Sequence, residues 1–218
     1  MEEYVKIPAV FQRDLEGTKK LMPGVYINET VDYLKNNLWI WTEKVDGTNI
    51  RVHWDGHKVE FAGRKEGSQI PGKLVNVLND LFGGEANEQL FEQTFGDRDV
   101  ILFGEGYGES ILNGEDYMND GKGVDFILFD LMIGGNYQPR ESVHRCARTF
   151  GIDVVPEIGE GTLEQAVNYV KGRPVSKLGK KTKWMEGLVC RPLFELNDRC
   201  GNRVIVKVKW EDLKNVGG

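Results

Sequence analysis

Short apolar runs alternate with polar turns along the chain, and the runs fall into two periods. Leu38-Trp39-Ile40-Trp41-Thr42-Glu43-Lys44 is short, apolar and rich in aromatic and β-branched residues, which predicts a strand. Residues 50–54 and 58–62 flank Asp55-Gly56-His57, so they predict a hairpin with a glycine-containing turn. Residues 100–103 and 126–132 are apolar runs, the pattern of strands covered on both faces. In residues 73–82, by contrast, Leu74, Val77, Leu78 and Leu81 recur at helical spacing, and Gly83-Gly84 closes the helix. Residues 139–150 predict a second helix, with Pro139 near its start and Gly151 past its end. A short strand at 153–156, a helix at 162–170 and strands at 188–190 and 204–210 complete the pattern. Strands outnumber helices, and helical crossovers do not separate every pair. The expectation is an α+β fold with mostly antiparallel sheets flanked by helices rather than a doubly wound parallel sheet.

Composition narrows the class without naming a function. The 218 residues suit one domain, and 40% hydrophobic with 28% charged residues is the profile of an ordinary globular protein. No apolar run approaches the ~18 residues of a membrane span. The acidic N-terminus lacks the apolar stretch of a secretory signal. Cys146, Cys190 and Cys200 stand at no metal-ligand spacing and cannot all pair, and His53, His57 and His144 do not cluster. A reducing, cytoplasmic location fits.

The net charge of −6 argues against coating nucleic acid by bulk charge, yet it hides an uneven distribution. Residues 85–130 hold twelve acidic and two basic side chains, whereas residue 171 to the end holds twelve basic and five acidic. The densest basic stretch is Lys171, Arg173, Lys177, Lys180, Lys181 and Lys183, broken by Gly172, Pro174 and Gly179. This is a loop whose lysines either lie along a phosphate backbone or simply face solvent.

Four segments place charge where a strand should bury apolar groups. Glu43-Lys44-Val45-Asp46-Gly47-Thr48-Asn49 holds a lysine at a strand end before an Asp-Gly turn, a setting for a nucleophilic amine or for a plain surface turn. Phe103-Gly104-Glu105-Gly106 ends a buried run with a carboxylate between glycines, open to close backbone or ligand approach. Glu186-Gly187-Leu188-Val189-Cys190-Arg191 sets a carboxylate before a short apolar strand. In Val204-Ile205-Val206-Lys207-Val208-Lys209-Trp210, Lys207 and Lys209 share one strand face and repel unless something anionic lies between them. A triphosphate or neighbouring carboxylates would serve.

In this order the segments resemble the covalent nucleotidyltransferase superfamily of DNA ligases, RNA ligases and mRNA capping enzymes, over about three quarters of the chain. Phe61-Ala62-Gly63-Arg64-Lys65-Glu66-Gly67 is similar to that family's arginine motif. Asp125-Phe126-Ile127-Leu128-Phe129-Asp130-Leu131 is similar to its aromatic-Asp strand; by resemblance Phe129 stacks on the purine, with Phe126 the second choice. DNA ligases and capping enzymes continue the lysine motif to an arginine where this chain has Asn49, which resembles the RNA ligase 2-like family of ATP-dependent RNA-sealing enzymes. The segment ending at Lys207-Val208-Lys209 is similar to that family's last motif. Asp46 stands where some members carry His, and Arg191 where many carry Lys.

The resemblance implies an ATP-grasp-like ligase adenylation domain. Lys44 would take AMP from ATP, pass it to an RNA 5′-phosphate, and a 3′-hydroxyl would then displace it. Asp46, Glu105 and Glu186 would hold Mg²⁺ or Mn²⁺ through waters, while Lys207 and Lys209 neutralise the phosphates. Arg64 would contact phosphate or ribose, the Glu43 backbone the adenine edge, and Asn49 the nucleotide. Eight residues follow the last motif and Lys44 lies near the start, so the expectation is a single nucleotidyltransferase domain over residues 1–218, without an oligonucleotide-binding barrel or a C-terminal helical domain. RNA ends or a nicked duplex would be gripped by this domain itself, or with a protein partner or self-association standing in for the second domain. The rival expectations are an ATP-dependent DNA ligase and a non-catalytic nucleotide- or RNA-binding module.

Overall fold

The computed structural model describes residues 1–65, 67–180 and 183–214. Glu66 of the arginine segment, Lys181 of the basic loop and residues 215–218 lie outside the described residues. The elements run β1 (Phe11–Arg13), β2 (Leu21–Tyr26), α1 (Glu29–Leu34), β3 (Trp39–Glu43), β4 (Thr48–Trp54), β5 (Val59–Gly63), α2 (Gly72–Phe82), α3 (Glu85–Phe95) and β6 (Val100–Gly108). After a 3-10 turn at Gly114–Tyr117 come β7 (Val124–Ile133), β8 (Asn136–Tyr137), α4 (Arg140–Phe150), β9 (Asp153–Val154), β10 (Glu157–Gly161), α5 (Leu163–Lys171), β11 (Gly187–Pro192), β12 (Val206–Lys209) and α6 (Trp210–Leu213). The fold is α+β with antiparallel sheets, as the hydrophobic pattern predicts, and the parallel pair β7–β9 is the exception among the strand pairings.

The chain divides into two compact units, residues 1–4 with 46–155 and residues 5–45 with 156 onward. The segments of the first carry 10 Lys and Arg against 21 Asp and Glu, net −11; those of the second carry 18 against 13, net +5. They are called here the acidic and the basic unit.

In the acidic unit the sheet order is β5-β4-β6-β7-β8, with β9 beside β7. Leu74, Leu78 and Phe82 form the buried stripe of α2, and Val143, Cys146, Ala147 and Phe150 that of α4; both belong to one core with Ile50, Val52, Leu102 and Leu128 of the sheet. Helix α3 has no sequence counterpart among the predicted elements, because only Phe91 and Phe95 of its eleven residues are fully buried. Strand β6 runs on to Gly108, so Glu105 sits within a strand rather than past its end. The glycines beside it answer to packing. A Cβ at Gly104 would lie 2.2 Å from the Phe126 ring, and one at Gly106 would lie 2.3 Å from Leu74 Cδ2. The close approach expected at these glycines is to core side chains and, at Gly104, to the Ile127 carbonyl oxygen, which a Cβ would meet at 2.6 Å.

The basic unit has its own core. Its sheet, ordered β10-β3-β11-β12, presents Trp39, Leu188, Cys190, Val206 and Val208 to Leu163, Ala166, Val167 and Val170 of α5. Thr162 caps α5 in both directions, its hydroxyl accepting from the Gln165 N–H while the Gln165 side chain accepts from the Thr162 N–H. Strand β12 ends at Lys209, one residue short of expectation, because the Trp210 N–H donates to the Glu186 carbonyl and α6 begins there. Strands β1 and β2 and helix α1 were not foreseen. Helix α1 is six residues long and starts where the Asn28 side chain accepts from the Val31 N–H. No helix among the described residues is long and apolar enough to cross a membrane.

Candidate active site

Three neighbouring strands of the basic unit converge on one carboxylate. Strand β3 delivers Lys44 beside the start of β11, where the Lys44 N–H donates to the Gly187 carbonyl at 2.9 Å. Lys44 Nζ lies 2.7 Å from Glu186 Oε2, and Lys209 Nζ lies 2.7 Å from Glu186 Oε1. Gly187 permits this approach: a Cβ there would meet the Val208 carbonyl oxygen at 2.0 Å and Lys209 Cα at 2.9 Å. Along β12, Val206 and Val208 are buried while Lys207 and Lys209 take the other, half-buried face. One carboxylate against two ammonium groups, with Lys207 alongside in sequence, leaves an excess of positive charge suited to a polyphosphate.

Glu43 plays a different part from its neighbour. Its buried carboxylate accepts from the Ser176 hydroxyl, from the Lys177 N–H at 2.8 Å and from the Leu178 N–H at 3.3 Å. Its own N–H donates to the Pro156 carbonyl at 2.9 Å. The side chain therefore ties the lysine-rich segment to the strand that carries Lys44. The two arms of that loop are pinned to each other as a short hairpin on either side of residues 181–182, the Ser176 N–H donating to Lys183 O at 2.8 Å and the Met185 N–H to Pro174 O at 2.9 Å.

In the acidic unit, Asp46 Oδ2 accepts from the Asn113 amide at 2.7 Å, and the Asp46 N–H donates to the Tyr117 hydroxyl at 3.1 Å. Asn49 and Glu105 stand opposite each other in the β4–β6 ladder. The Asn49 Oδ1 atom is buried with no hydrogen-bond partner among the described residues, an acceptor that a ligand hydroxyl would satisfy. Arg64 is exposed directly after β5. Phe129 is half-buried at a register shift between β6 and β7, its ring 5.0 Å from that of Tyr4. Phe126 is core, packed edge-on against Phe82 at 5.4 Å. Of the two aromatics, Phe129 is the one with exposed surface.

The residues expected to hold a metal have the hard oxygen donors that Mg²⁺ or Mn²⁺ prefers. Both Glu186 oxygens, however, already carry an ammonium, and no group of three or more His, Cys, Asp or Glu side chains comes together among the described residues. Among the described residues there are carboxylates that could partner a divalent ion but no closed protein cage for one.

A family model for RNA ligase matches residues 37–209. This chain belongs to the RNA ligase family. No curated protein matches it. Among solved structures, a Naegleria gruberi RNA ligase variant with AMP and Mn matches with a TM-score of 0.63 and 20% identity, over 84% of this chain and 52% of the other. A second variant of that ligase, with ATP and Mn, matches with a TM-score of 0.65 and 20% identity over 96% and 56%. The same ligase with PPi gives 0.61 and 21% over 84% and 53%. At this identity the likeness speaks for the fold, and the chain spans a little over half the length of these ligases.

The residues expected from the sequence to form the site divide between the two units. Glu43, Lys44, Glu186, Lys207 and Lys209 belong to the basic unit, and Asp46, Asn49, Arg64, Glu105 and Phe129 to the acidic one. The chain passes from one to the other between Val45 and Asp46, inside the lysine motif. Sequence reasoning did not find Asn113, Tyr117 or Ser176, which hold Asp46 and Glu43. Each lies in a polar segment whose composition signals only a loop.

Proposed function

We propose that this RNA ligase family member is an ATP-dependent enzyme that joins RNA 5′-phosphate and 3′-hydroxyl ends through a lysyl-AMP intermediate, in RNA repair. The observation that carries the reading is the pairing of Lys44 and Lys209 with the two oxygens of Glu186. A strand-end lysine is held by a carboxylate able to orient its amine, and a second lysine stands ready for the phosphates.

In the first step Lys44 gives its ammonium proton to solvent, and the resulting neutral amine attacks the α-phosphorus of ATP, losing a second proton to solvent as the phosphoramide forms. The N–P bond forms, the bond to the bridging oxygen breaks, and pyrophosphate leaves with the electron pair. Glu186 Oε2 accepts a hydrogen bond from Nζ and aims its lone pair, while Lys207 and Lys209 balance charge growing on the phosphates. Asp46, Glu105 and Glu186 would hold the waters of a divalent cation, Mg²⁺ or Mn²⁺, which would supply charge neutralisation at the phosphates. Asn49 supplies its unpaired acceptor to the nucleotide, Phe129 its exposed ring to the purine, and Arg64 its guanidinium to phosphate or ribose. In the second step the RNA 5′-phosphate displaces Lys44 from AMP; in the third the 3′-hydroxyl displaces AMP and closes the strand. Three unpaired cysteines, two of them buried, suit a reducing cytoplasm.

The test is a panel of nicked and single-stranded RNA, DNA and hybrid substrates with ATP and Mg²⁺, scored for adenylylated ends and sealed product. Sealing of RNA ends ahead of DNA ends is expected. Equal or better sealing of all-DNA nicks would instead make the protein a DNA ligase, and nucleotide binding without adenylylated ends would make it a binding module.

A further inference from the structure

Beside Glu186 the basic unit carries an aromatic and cationic cluster that the adenylyl-transfer chemistry leaves unused. The Arg173 guanidinium lies over the Trp184 ring at 5.0 Å and over the Trp210 ring at 4.4 Å. Trp184 and Val175 pair across the hairpin, and each remains 47% exposed. Tryptophan is among the side chains with most to gain from burial, so an indole held open by a pinned hairpin is surface kept for a partner. The surroundings define its charge. Residues 165–185 contain six Lys and Arg and no Asp or Glu, and Lys171, Arg173, Lys177 and Lys180 are exposed. A flat aromatic face among cations matches a nucleobase flanked by phosphates, with the ring to stack on the base and the cations to meet the phosphates.

The cluster is wired to the proposed reaction centre. Trp210 follows Lys209 directly, and its N–H donates to the Glu186 carbonyl at 3.0 Å, while the Glu186 side chain holds Lys44. Ser176, in the same hairpin as Trp184, donates to Glu43, the residue before Lys44.

We infer that Trp184, backed by Arg173, is a stacking platform for a base of single-stranded RNA, holding the strand end near Lys44. The inference rests on the RNA-sealing reading above and names how that same site grips its RNA. Lys171, Lys177 and Lys180 contact the phosphates on either side, which supply affinity without sequence preference.

The test compares wild-type protein, Trp184→Ala and Trp184→Phe for three quantities: Lys44 adenylylation by ATP, affinity for a fluorescent 5′-phosphorylated RNA oligonucleotide, and AMP transfer to that RNA. Trp184→Ala is expected to weaken RNA binding roughly tenfold, the loss of one stacked base, and to slow AMP transfer at limiting RNA in proportion. Trp184→Phe, which keeps a ring, is expected to recover most of both. Wild-type RNA affinity in Trp184→Ala overturns the inference, and so does a Trp184→Phe variant as impaired as Trp184→Ala. A wild-type protein that takes no label on Lys44 overturns the parent reading instead, so the two failures are distinguishable.

Discussion

Glu43 and Lys44 are neighbours in sequence with opposite duties. The Lys44 ammonium meets Glu186 at 2.7 Å in a partly exposed setting, whereas the Glu43 carboxylate is buried against Ser176, Lys177 and Leu178. Truncating Glu43 would leave two buried-loop N–H groups and a hydroxyl without their acceptor. Glu43→Ala is therefore expected to lower stability by about 1–3 kcal/mol, read from urea unfolding midpoints, with Glu43→Gln falling in between. At this scale the residues proposed to react stand out in the sequence because each breaks a strand pattern: Lys44 and Glu186 at strand ends, Lys207 and Lys209 alternating with valines. Their supports were not. Asn113 reaches Asp46 across 67 positions, and Ser176 reaches Glu43 across 133, and no local pattern marks such a pairing.

The elements bring these residues together through glycines as much as through side chains. At Gly187 the β11 and β12 backbones approach so closely that a methyl group would strike the Val208 carbonyl oxygen at 2.0 Å. Gly187→Ala is expected to push the two strands apart, costing about 1–3 kcal/mol and moving Glu186 off Lys209, so both thermal stability and the rate of adenylylation should fall. Gly72→Ala, at the start of α2 with nothing within 4 Å of the added atom, is the matching control and should leave both unchanged or slightly raise stability. Long periodic elements such as α2, α4 and α5 were readable from hydrophobic spacing alone. Helix α3 was not, since two phenylalanines four apart make one contact and not a stripe, and β6 was cut short because its apolar run stops at Gly104, whose space Phe126 fills as Leu74 fills that beside Gly106.

Over the whole molecule, the −6 of the sequence separates into an acidic unit of net −11 and a basic unit of net +5, and the basic unit holds Lys44, the proposed nucleophile, and the cationic segment around Trp184. The division follows the fold, because each unit draws on two separate stretches of chain, which is why a linear reading saw only an acidic middle and a basic end. Each unit also buries ionisable groups in neutral form. Burial holds the Cys146 thiol up at about 12 and raises Cys190 as well, and burial together with Asp125 raises Tyr107. These groups bind their protons more tightly folded than unfolded, so the stability they contribute is complete below the ordinary thiol value of 9.0 and is lost as pH rises towards the folded values. The midpoint of thermal unfolding should accordingly decline above that pH, with Cys190→Ser weakening the decline.

The central claim is that Lys44 carries AMP. Incubation with α-labelled ATP and Mg²⁺ should transfer label covalently to the wild-type protein and leave Lys44→Ala unlabelled, with the mass of one AMP located on the Lys44 peptide. Undiminished labelling of Lys44→Ala, or a folded wild-type protein that takes no label, would contradict the account.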